Sequence, residues 1–139
     1  MTTAKPLHIL LVEDDQIDQI NVKRAFERNN IMNPLYIAEN GLEALEMLRD
    51  GRVPDERRLI LLDLNMPKMN GIEFLRSLRE DPKLGHTPVV VLTTSNDEQD
   101  KVQAYDLNVA GYLLKPVTFT NFVELTAALN KYWTLVELP

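Results

Sequence analysis

The sequence predicts an α/β fold, a doubly wound open parallel sheet of five strands with helices on both faces. Three observations carry that prediction. Five short apolar runs are continuous where a half-exposed strand would alternate, as expected of parallel strands covered on both sides. The segments between them place apolar residues three to four positions apart, the helical period. Run and helix alternate five times within 139 residues, which is one domain's length.

In chain order, Leu7 to Val12 is the first strand, and Ile17, Ile20 and Phe26 mark the first helix. Leu35 to Ala38 is a weaker strand, followed by a helix carrying Leu42, Leu45 and Leu48. Leu59 to Leu62 is the third strand, and Ile72, Leu75 and Leu78 mark the third helix. Val89 to Leu92 is the fourth strand, with Val102 and Leu107 on the helix after it. Ala110 to Leu114 is the fifth, and Phe122, Leu125 and Leu129 mark the last helix. Asn40-Gly41 and Asn70-Gly71 read as helix starts and Asp81-Pro82 as a stop. Arg52 to Arg58 sets Arg52, Arg57 and Arg58 against Asp55 and Glu56, and reads as a solvated loop before the third strand. There is no internal repeat and no second domain. The stretch after Pro116 has room for one helix and a short tail, so no output domain is expected, and the core is placed at about 6–133 with a tail at 134–139.

Composition narrows the function. Without cysteine there is no disulfide framework and no thiolate metal site, and a reducing cytoplasm is the expected location. Met1 to Pro6 shows no targeting pattern, and no run approaches a membrane span. A net charge of −6 and a pI near 4.9 oppose direct nucleic-acid binding, which needs a basic face.

In an open α/β sheet, ligands bind beyond the carboxyl ends of the strands. The first run ends in Glu13-Asp14-Asp15, the third in Asp63, the fourth in Thr93-Thr94 and the fifth in Lys115-Pro116. Parallel strands put all four ends on one edge. Glu13, Asp14 and Asp63 would repel one another there unless they held protons or a cation. Hard oxygen donors in this number suit Mg²⁺ better than the larger ligand cage of Ca²⁺. Asp63 is ionised at neutral pH and needs no base to attack phosphorus, only an offset to its charge. Lys115 supplies a second positive charge and Thr93 a hydroxyl donor. Singly, each residue has a plain structural alternative: Asp15 reads better as a helix cap, Asn65 as a turn former before Met66-Pro67, and Thr93 or Lys115 as a turn residue or surface charge. Those alternatives do not explain the convergence.

Leu10-Leu11-Val12-Glu13-Asp14-Asp15, Leu62-Asp63-Leu64-Asn65-Met66-Pro67 with Asn70-Gly71, Val91-Leu92-Thr93-Thr94 and Gly111-Tyr112-Leu113-Leu114-Lys115-Pro116 together resemble the receiver domain of two-component response regulators. The resemblance runs from about Pro6 to Trp133. It implies a flavodoxin-like sheet in the order 2-1-3-4-5, with Asp63 as phosphoacceptor and Glu13, Asp14 and Asp63 as metal ligands. It further implies Asn65 as a metal ligand through its backbone carbonyl, and Thr93 and Lys115 as the groups that sense the phosphoryl. Asn65 and Ser95 fall near positions that tune the phosphoryl lifetime in the family. Tyr112 falls at an aromatic switch position, with a partly buried tyrosine as the alternative, and a cis Lys115–Pro116 peptide is common in the family. Asn70 stands where an aspartate is usual. A histidine kinase is the implied partner. The ending from Tyr132 to Pro139 is similar to single-domain regulators paired with phytochrome kinases. It also suggests homodimerisation through the last two helices and the edge strand, although Trp133 reads as folding back on its own core.

Such a protein is not a conventional turnover enzyme. A phosphohydrolase of the haloacid dehalogenase type wants a second aspartate at position 65, where this chain has Asn65. A flavodoxin-like nucleotide binder wants backbone donors after the first strand, where Glu13-Asp14-Asp15 would repel phosphate. A receiver that has lost its chemistry is disfavoured because every chemical position is suitably occupied.

Overall fold

A computed structural model describes residues 6–139; of the N-terminal stretch read for targeting signals, all but Pro6 lies outside them. Five parallel strands, β1 (His8–Val12), β2 (Leu35–Ala38), β3 (Arg58–Leu62), β4 (Val89–Thr93) and β5 (Gly111–Leu114), pair in the order β2-β1-β3-β4-β5. Register is continuous through the centre, with Val12 opposite both Ala38 and Leu62, and Leu62 opposite Val91. β1, β3 and β4 are buried along their whole length, whereas β2 and β5 are half-exposed edges. That difference matches the weaker apolar signal of Leu35 to Ala38.

Helices α1 (Gln16–Arg28) and α5 (Phe119–Leu135) cover one face. Helices α2 (Gly41–Arg49), α3 (Gly71–Glu80) and α4 (Glu98–Asp106) cover the other. Each begins at the residue whose side chain satisfies the free N–H groups of the first turn: Asp15, Asn40, Asn70, Asp97 and Thr118. Asn70 forms a reciprocal capping box with Glu73. The asparagine in place of the usual aspartate therefore keeps the cap. α3 ends at Asp81, before Pro82.

Not every apolar residue that marks a helix is buried. Ile17 and Ile20 are 71% and 52% exposed, and α1 instead buries Val22, Ala25 and Phe26. At about 100° per residue, Ile17 lies about 140° round the helix from Val22, so both faces cannot meet the sheet. Leu42 and Val102 are also about half exposed, and Ala104 is the only fully buried residue of α4. The segment 52–58 is not all solvated. Val53 is buried, and Arg58 is the buried first residue of β3, its guanidinium reaching the Val53 carbonyl at 3.5 Å and Asp55 at 3.4 Å. Strand pairing explains this, because Arg58 lies opposite His8 in the ladder. Every described peptide is trans, Lys115–Pro116 included, the isomer favoured by ~0.5–1 kcal/mol at such bonds.

α5 runs two residues past the expected core boundary. Trp133 does fold back: it is buried, its ring centroid is 6.0 Å from that of Phe26, and its indole N–H donates to Asn130. Leu138 packs on the same cluster, while Leu135 faces solvent. No described helix is long and apolar enough to cross a membrane.

Candidate functional site

The carboxyl ends of β1, β3, β4 and β5 meet as the sequence predicts, and each side chain is aimed by the strand behind it. Asp63 extends the sheet by one bond, its N–H donating to the Val12 carbonyl at 3.0 Å, while Glu13 N–H donates to Ala38 at 2.9 Å. The two acids thus leave adjacent strands side by side. Both are buried, and Asp14 is exposed at the rim. Carboxylate oxygens of Glu13, Asp14 and Asp63 lie within 4.8 Å of one another.

Asp63 is held at both oxygens. Oδ1 accepts from the Thr93 hydroxyl at 2.8 Å and from Asn65 N–H at 3.3 Å. Oδ2 faces Lys115 Nζ at 3.5 Å. The loop beneath is packed so closely that a Cβ on Gly71 would lie 2.6 Å from the Asp63 carbonyl oxygen. Lys115 is fixed by its own N–H, which donates to the Thr93 carbonyl at 2.8 Å. Its buried ammonium reaches Glu13 at 2.5 Å and Asp18 at 2.8 Å, both closer than Asp63. Asp18 is a member of the site that sequence reasoning missed. Its only signal there is an acid three residues after the Asp15 cap, in a helical turn that faces this edge.

The charges are unbalanced: Lys115 faces Glu13, Asp18 and Asp63, and Asp14 adds a fourth acid beside Glu13 and Asp63. Burial, reinforced by the Asp63 charge, pushes the Glu13 carboxyl up to about 7 against the opposing hydrogen bond from Lys115. Burial pulls the Lys115 ammonium down, but Asp18 and Glu13 outweigh it and hold the proton more tightly than in a free lysine. Crowded carboxylates of which buried Glu13 resists ionisation, offering only oxygen donors, fit a hard divalent cation.

Asp15 caps α1, accepting from the N–H groups of Ile17 and Asp18. Asn65 is exposed, and its ordered link to the site is the N–H bond to Asp63. Tyr112 is half-buried and donates its hydroxyl to the Ser95 carbonyl at 2.8 Å; burial raises its pKa. Ser95 has contacts that its place in the sequence does not disclose. Its N–H donates to the Thr93 hydroxyl at 3.2 Å and its hydroxyl to Asp100 on α4 at 2.6 Å.

Residues 9–128 match the family described as the response regulator receiver domain. Over 138 residues the chain is 38% identical to response regulator Rcp1 of Synechocystis sp., covering 96% of this chain and 94% of Rcp1. The Mn²⁺-bound form of Rcp1 superposes with a TM-score of 0.83 at 37% identity, covering 97% of this chain and 99% of that one. The phosphorylated cyanobacterial phytochrome response regulator RcpA superposes with a TM-score of 0.86 at 34% identity, covering 98% and 99%. The fold is accordingly flavodoxin-like, as in these neighbours. Receiver domains bind a divalent metal ion and work with a histidine kinase. With matching motifs, strand order and acidic edge, the chain belongs to the receiver-domain family and is a response regulator of two-component signal transduction.

Proposed function

We propose that Asp63 accepts a phosphoryl group from the phosphohistidine of a sensor kinase, with Mg²⁺ held by Glu13, Asp14, Asp63 and the Asn65 backbone carbonyl. The observation that carries this reading is the state of Asp63, a buried carboxylate bonded by Thr93 and faced by Lys115 within an acidic trio. In the transfer, an Asp63 oxygen attacks phosphorus in line, and the bond from phosphorus to the donor imidazole breaks with its electron pair left on nitrogen. The bound cation supplies positive charge that offsets the Asp63 carboxylate and the phosphoryl oxygens. Lys115 turns its ammonium to the new phosphoryl oxygens, and the Thr93 hydroxyl, which now donates to Asp63, is drawn to the same group. Movement of Thr93 is felt at Ser95 and, through the Ser95 carbonyl, at Tyr112.

Incubation with acetyl phosphate and Mg²⁺, read by intact mass, tests this. Wild type is expected to gain one phosphate-sized, base-labile adduct, and Asp63→Asn none. An adduct that persists in Asp63→Asn removes the assignment.

The protein is a switch rather than a turnover enzyme, and it acts in the cytoplasm. A phytochrome-type histidine kinase is the upstream partner this reading favours, supported by similarity to Rcp1 and RcpA. Output is read from the surface of α4, β5 and α5, by a partner or a second copy. Val102, Tyr105, Leu114 and Val117 are exposed there, beside a half-open apolar gap of about 250 Å³ lined by Val90, Leu113, Leu125, Leu129 and Tyr132. Sedimentation with and without phosphorylation tests the homodimer, and a monomer under both conditions removes it.

A further inference from the structure

Lys115 and a divalent cation want the same oxygens. The ammonium lies 2.5 Å from Glu13 and 3.5 Å from Asp63, two of the three acids whose oxygens converge for a cation. Two positive charges cannot share those carboxylates without mutual repulsion. Lys115 must therefore give up part of its hold on Glu13 and Asp63 when the trio is engaged, and its buried ammonium then needs another acceptor.

Asp18 is that acceptor. Its Oδ2 lies 2.8 Å from Lys115 Nζ, and it is not a member of the converging trio. It stands in the first turn of α1, where the helix dipole favours a negative charge, and its N–H is tied to the Asp15 cap at 3.2 Å. The side chain is only partly exposed, so its position is set by the helix more than by solvent.

We infer that Asp18 is a positioning residue that retains Lys115 at the site edge, so that Glu13 and Asp63 are released to a divalent cation while Lys115 stays within reach of an incoming phosphoryl group. The inference rests on the reading of the acidic trio as a metal site. It separates Asp18 from Glu13, Asp14 and Asp63 by role: those three touch the cation, and Asp18 acts on it through Lys115.

A double-mutant cycle read by calorimetric Mn²⁺ and Mg²⁺ titration tests the inference, with circular dichroism on each variant to confirm folding. Asp18→Asn keeps the shape and removes the charge, and is expected to weaken cation binding by about fivefold when Lys115 is present. In the Lys115→Met background, where nothing competes for Glu13 and Asp63, the same change is expected to matter less than about twofold. Asp18→Glu is expected to restore most of the affinity. An equal loss in both backgrounds would show Asp18 acting as a through-space charge, and no loss in either would show that Lys115 does not compete; both results overturn the inference. Failure of the cycle leaves the adduct on Asp63 untouched. A wild type that binds no divalent ion removes the reading of the trio itself.

Discussion

The centre of the sheet and its β5 edge are built to different standards. β1, β3 and β4 are buried from end to end, and α3 buries five residues against them. β5 is half-exposed, and α4 beside it buries only Ala104. The acids and Thr93 extend from the well-packed centre, whereas Tyr112 and the exposed Val102, Tyr105 and Leu114 belong to the loose edge. Fixed distances suit the phosphoryl transfer proposed for the first, since a misplaced acceptor loses rate steeply. Low local stability suits the switching proposed for the second, because a segment that changes state cannot be held by many buried contacts.

The sharpest break in this contrast is chemical. Asp63→Asn is expected to abolish the phosphoryl adduct while leaving the fold intact, and intact mass with circular dichroism reads both. Next is packing. Phe74→Ala, at a fully buried site in α3, is expected to cost ~3–5 kcal/mol in urea unfolding, against ~0.5 kcal/mol or less for Val102→Ala on α4. Similar losses at the two sites would mean that the edge is as firmly packed as the centre. Gly71→Ala stands between them. A Cβ there meets the Asp63 carbonyl oxygen and the Leu64 Cα at 2.6 Å, so a loss of ~1–3 kcal/mol together with slower labelling of Asp63 is expected. Normal stability and labelling would show that this loop can yield.

The metal-free centre should also carry a pH signature. Glu13 has its folded pKa raised from 4.5 to about 7, so the folded state holds that proton more tightly than the unfolded chain. Its contribution to stability is present at low pH and is lost as pH rises from 4.5 towards 7, leaving ionised Glu13 beside Asp63. A divalent cation relieves that repulsion only once Glu13 is ionised. Mg²⁺ should therefore raise the melting temperature more at pH 8 than at pH 6, and an equal rise at both would argue against Glu13 as a ligand. The smallest effect belongs to the edge. Tyr112→Phe removes one hydrogen bond, to Ser95, for ~1 kcal/mol or less. Faster hydrogen exchange is expected in the turn after β4, with labelling of Asp63 retained.

Much of this was legible in the sequence because it is local. Continuous apolar runs marked all five strands, and Asp15, Asn40 and Asn70 marked helix starts, because each cap bonds within its own first turn. The residues after the first, third, fourth and fifth runs meet as expected, since parallel strands necessarily end on one edge. The buried face of α1 was not legible, because Ile17 and Ile20 compete with Val22 and Phe26 and only the docked helix chooses between them. Nor was the burial of Arg58, a charge that looks solvated until its opposition to His8 is known.

By itself, then, the sequence determined the strands, the caps, and which acids, hydroxyl and amine stand at the strand ends. Tertiary structure alone decided how those groups share charge. Lys115 meets Asp18 across 97 positions of chain, and that meeting depends on the order of the strands and the docking of α1 against them. Periodicity and capping are properties of neighbours in sequence, whereas an ion pair of this kind depends on strand order and helix docking together.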